Sequence, residues 1–198
     1  MPVPDDRPAF GPRFYVLFCL LTFLLFPLHE LGHYLTYRAM GVELHMTLNT
    51  ASPRDHSQRT AIAELAGPLV NLCLGSVAAF AHLQTTPKRE WLAAAALSAA
   101  LMRLVIYVVI IGATITTGSA LSVGNDEPIA AKLAGLPGLM FLSVLAIPFV
   151  VIVVKVLRTF QGTRTRKLAH LAGLSLTMMG LGILIGNVLD PWLFPGRS

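Results

Sequence analysis

Charge is what this chain has least of. Asp, Glu, Lys and Arg make up 13% of its 198 residues, about half the share usual in a soluble domain, so an ordinary water-soluble globule is excluded. The abundance of Leu, Ile, Val and Phe between the turn signals excludes a disordered chain. Only two cysteines occur, Cys19 and Cys73, both inside apolar runs. Neither a disulfide framework nor a cysteine-based metal cluster can be built from them. The net charge of +5 would point to nucleic acid in a soluble protein. Here Lys and Arg flank apolar runs in the manner of charges at a membrane boundary, so no nucleic-acid partner is expected and the lipid bilayer is the surrounding medium.

Long apolar runs are what the chain does have. Crossing about 30 Å of hydrocarbon takes about 20 helical residues, and five segments meet that requirement: 14–40, 61–83, 91–115, 139–157 with an expected kink at Pro148, and 168–189. The sequence therefore predicts an all-α polytopic membrane protein of about five transmembrane helices. One transmembrane domain, 14–189, is expected between an N-terminal tail, 1–13, and a C-terminal tail, 190–198. Arg7 and Arg13 ahead of the first run give the outline of a signal peptide, but no small-residue cleavage site follows, and the run is expected to be retained. Residues 41–60 are too polar to span. VELHMTLN, starting at Val42, alternates weakly and predicts a short interfacial or re-entrant hairpin after the first span.

Five spans put the termini on opposite sides. Nine basic residues then fall on the N-terminal side and five on the other, which favours a cytoplasmic N-terminus.

Residues 29–33 read HELGH, the pattern H-E-x-x-H, near the end of the first span. Histidines four apart on a helix are separated by about 40° around its axis, so His29 and His33 face one way and can share one zinc ion. Glu30 adjoins the first of them, within reach of an attacking water. At 1.5 Å per residue His29 lies about 8 Å inside the far interface. Ionisable groups at that depth are costly and usually functional.

A catalytic zinc needs a third protein ligand and an open position. The carboxylates outside obvious flanking loops are Glu64, Asp126, Glu127 and Asp190. Alternation of the spans brings the end of the first, the start of the second and the end of the third to one side, so Asp126 can approach the histidines, with Glu64 as the next candidate. Pro128 predicts a helix beginning just after Asp126 and Glu127. The second span carries AGPLVN, residues 66–71, in which Gly67 allows close helix approach. The Asn71 amide there can join helices or donate to a developing oxyanion. Arg103, in mid-span, needs a partner, for which Glu64 or Asp126 is expected. His45 and His56 fall in the loop over the site, and His82 and His170 at span ends, where interfacial positions are expected.

HELGH in one span followed by AGPLVN in the next resembles the site-2 protease group of intramembrane zinc metalloproteases, especially its small peptidase-like members. The resemblance implies that His29, His33 and a downstream aspartate, Asp126, bind zinc (Zn2+), that Glu30 is the general base, and that Asn71 lies close to the scissile peptide. Asp126 sits in the context Gly-Asn-Asp-Glu, where the family usually has Leu-Asp-Gly or Asn-Pro-Asp-Gly. The implied activity is zinc-dependent cleavage of a membrane protein or peptide substrate within or next to a membrane segment, in a bacterial cell membrane. Two other classes use the same residues: a catalytically inactive, family-derived membrane binding or scaffold protein, and a metal transporter. The far half of the spans is apolar apart from Arg103 and Asn71, which ranks transport last.

Overall fold

Five helices long and apolar enough to cross a membrane make up most of the computed structural model, which describes residues 8–117 and 125–195. The protein is an all-α, multi-pass membrane protein. Its elements in chain order are α1 (Pro12–Ala39), β1 (Leu44–Met46), β2 (Ala51–Pro53), α2 (Ala61–Gln84), α3 (Glu90–Thr117), α4 (Asp126–Leu133), α5 (Gly138–Thr159), α6 (Arg164–Leu184) and α7 (Asp190–Leu193).

Local sequence accounts for most of the boundaries. Pro12 opens α1 with φ already set for a helix, and Gly41 leaves it at φ +76°. Thr60 caps α2 by accepting a hydrogen bond from the Ala63 amide, and Thr163 caps α6 through the amide of Arg166. The last span starts at Arg164, four residues ahead of the apolar run, because a basic first turn can lie in water. It ends in a single π-helical turn, Ile185–Leu189, that leads directly into α7. Pro148 lies within the continuous helix α5.

α3 is the most buried span. Its alanine-rich stretch, including Ala93, Ala96 and Ala100, is sealed between neighbouring helices, and such small side chains let helix backbones approach closely. α1 and α2 meet as tightly, since a Cβ on Gly32 would lie 2.9 Å from the Ala66 carbonyl oxygen. That approach brings the second half of α1 against the first half of α2.

The hairpin after the first span is present: β1 and β2 pair antiparallel with Leu44 opposite Pro53. What fixes it was not expected. Asp190, assigned by sequence to a C-terminal tail, is buried and accepts hydrogen bonds from the Thr47 hydroxyl (2.8 Å), the Leu48 amide (2.8 Å) and the Asn49 amide (3.2 Å). The turn of the hairpin thus hangs from the end of the last span.

At the opposite end Phe10 stacks on Phe160 and on His170, while the Tyr15 hydroxyl meets His170 Nδ1 at 2.7 Å. The interfacial expectation fails for His82. Its ring is fully buried, with Nδ1 3.1 Å from the Arg89 carbonyl and Nε2 2.8 Å from the Thr159 hydroxyl. These two bonds satisfy the imidazole without water and tie α2 to α5.

Candidate metal centre

His29 and His33 project from α1 into the seam with α2, each 2% exposed. Their Nε2 atoms are 3.2 Å apart. His33 Nδ1 donates to the Ala63 carbonyl at 2.7 Å, which turns its Nε2 toward His29 and Asp126. Gly67 supplies the room: a Cβ there would lie 2.6 Å from His29 Nε2 and closer still to His33 Nε2. Gly67→Ala is therefore expected to displace both rings and lower metal affinity at least tenfold. Gly112→Ala, which meets open space, should leave affinity unchanged. Metal titration of the two purified variants separates them.

Asp126 completes the cluster. Its Oδ2 lies 2.9 Å from His29 Nε2 and 3.4 Å from His33 Nε2, and ligand atoms of the three residues all fall within 4.8 Å of one another, so the group could hold a metal ion. Burial by itself would raise the Asp126 carboxyl. Hydrogen bonds from both histidines and the Arg103 charge outweigh it and hold this group well below the usual carboxylate range.

The start of α4 differs from the sequence expectation. The helix begins at Asp126 with Asn125 as its N-cap residue, so Asp126 and Glu127 belong to its first turn and Pro128 is the third residue. Proline is tolerated there because a first-turn N–H has no helical partner to lose. Being helical, the two neighbouring carboxylates point about 100° apart. Asp126 turns to the histidines, and Glu127 turns into the core, where it is fully buried.

Arg103 meets one of its two expected partners, Asp126, but has a closer one. Its main partner is Glu127, with Nη2 2.5 Å from Oε2, and Asp126 is secondary at 3.6 Å. Tyr107, one turn along α3, donates to the other Glu127 oxygen at 2.8 Å. Glu64 is not available to Arg103, nor does it belong to the metal group. It accepts from the Tyr37 hydroxyl at 2.5 Å and pairs with Arg59 at 3.7 Å. The sequence signalled only that a mid-span cation must be neutralised by a nearby carboxylate, not that Glu127 rather than Asp126 would be the closer one.

Glu30 is buried and faces the backbone of Ala51 in β2. Together with His29, Arg103 and Asp126 it forms the polar end of a cavity of about 490 Å³. The turn residues Asn49 and Thr50 roof the cavity, and Phe26, Met102 and Met178 are among its apolar walls. Asn71, one turn along α2 from Gly67, does not line this cavity. It is fully buried, and neither atom of its amide has a hydrogen-bonding partner among the described residues. His45 and His56 are exposed and lie outside the cluster.

No protein-family model, no curated protein and no solved structure matches the chain.

Proposed function

We propose that the protein is an intramembrane zinc metalloprotease, with zinc held by His29, His33 and Asp126 and with Glu30 as general base. The observation that carries this reading is the shape of the cluster. Metal–ligand bonds of about 2.0–2.1 Å arranged tetrahedrally require ligand atoms about 3.3 Å apart. The three distances here are 3.2, 2.9 and 3.4 Å. Two imidazoles and one carboxylate suit zinc, and three protein ligands leave a fourth position open.

Zinc, when bound, would polarise the scissile carbonyl and make water acidic enough to attack at neutral pH. Glu30 borders the same cavity. It would take the proton as the water oxygen bonds to the carbonyl carbon, then deliver that proton to the amine as the C–N bond breaks. The apolar walls would hold hydrophobic side chains of a membrane segment. A helix must unwind to present a peptide bond, and the two-stranded hairpin offers a free strand edge to the unwound chain. The Asn71 amide, unpartnered among the described residues, is buried outside this cavity and is not exposed to a substrate in this conformation.

Removing metal tests the reading. Protein purified in detergent and stripped with a chelator should lose cleavage of an apolar membrane-spanning peptide, and equimolar zinc should restore it. Cleavage that survives complete stripping overturns the proposal. Stoichiometric zinc with no turnover of any unfolded membrane peptide would transfer the site to a binding role.

A further inference from the structure

Far from the metal centre, where α5 and α6 meet, a second cavity of about 540 Å³ opens between the helix ends. Val154, Leu157 and Leu168 form its apolar part, and Arg158, Arg164 and Lys167 its charged part. None of the three cations pairs with a carboxylate among the described residues. The nearby Lys155 and Arg166 add to the same field, and no Asp or Glu occurs between residues 128 and 189. Gly162 at φ +102° makes the tight turn that brings the end of α5 beside the start of α6.

The order of chemistry along the groove identifies its ligand. The cations lie at the helix ends, where a bilayer has its phosphates. Below them Val154, Val151 and Val150 face outward along α5, in the acyl-chain layer. A soluble phosphate would use only the cations, whereas an amphiphile with an anionic head and apolar tails matches both halves. We propose that this groove is a binding site for an anionic phospholipid, with its headgroup phosphate on Arg158, Arg164 and Lys167 and an acyl chain along the outer face of α5. The assignment is independent of the metal centre.

The test compares two doubly neutralised full-length proteins in phosphatidylcholine nanodiscs doped with phosphatidylglycerol. Arg158→Gln with Arg164→Gln removes charge from the groove. Lys88→Gln with Arg89→Gln removes the same charge from the α2–α3 connection at the same end of the bundle. Native mass spectrometry should show phosphatidylglycerol retained by the unaltered protein and by the Lys88/Arg89 variant, with affinity lowered tenfold or more in the Arg158/Arg164 variant. Circular dichroism verifies that both variants are folded. Equal retention by all three proteins overturns the site, and so does equal retention of phosphatidylcholine. If inorganic phosphate alone displaces the lipid at equal concentration, the groove is a phosphate site and the lipid assignment fails.

Discussion

Glu30→Gln is expected to keep its zinc and to lower cleavage by about 10²- to 10⁴-fold, the contribution usual for a positioned general base. The amide has nearly the shape of the carboxylate but cannot accept the proton of the attacking water. His29, His33 and Asp126 hold one another independently of residue 30, so metal content should stay at one ion per chain. Measuring zinc by elemental analysis alongside turnover separates this from simple damage to the site. A variant that cleaves at the unaltered rate removes Glu30 from the mechanism even if zinc is bound.

The largest loss of stability is expected for Glu127→Ala. The substitution leaves the Arg103 guanidinium, 2% exposed, without its closest counter-charge, and deprives the Tyr107 hydroxyl of its acceptor. Breaking a buried ion pair from one side costs about 3–5 kcal/mol, because the surviving charge cannot reach water. Removing both charges is far milder, since apolar residues of similar volume can replace a buried pair at little net cost. Arg103→Met combined with Glu127→Leu should therefore recover most of the lost stability in a denaturant titration. Unaltered stability of Glu127→Ala would show that the pair contributes nothing to the fold.

The spans were legible because hydrocarbon thickness sets a length that apolar runs either meet or miss, and five do. The histidine pair was legible because helical geometry relates residues four apart without any tertiary knowledge. Asp126 could be reached because alternation of the spans fixes which ends share a side. Glu127 was not legible, since the exact start of α4 decides which of two adjacent carboxylates faces the histidines and which faces Arg103. The part played by Gly67 was half legible. Its closeness to another helix follows from its type, but that it clears space for two imidazole rings depends on the rotation of α2 about its axis. His82 was misplaced because its position near the end of a run was read as contact with water, whereas Thr159, distant in sequence, covers it.

The bonds to Asp190 carry a consequence for the order in which the molecule is made. The hairpin turn and its anchor are separated by 141 to 143 residues. A growing chain enters the membrane from its N-terminus, so the histidines, Gly67 and Asp126 are all present before Asp190 is synthesised. The roof over the cavity acquires its tether only once the final helix has inserted. Every residue of the ligand cluster is thus synthesised well before the carboxylate that anchors the hairpin turn beside it.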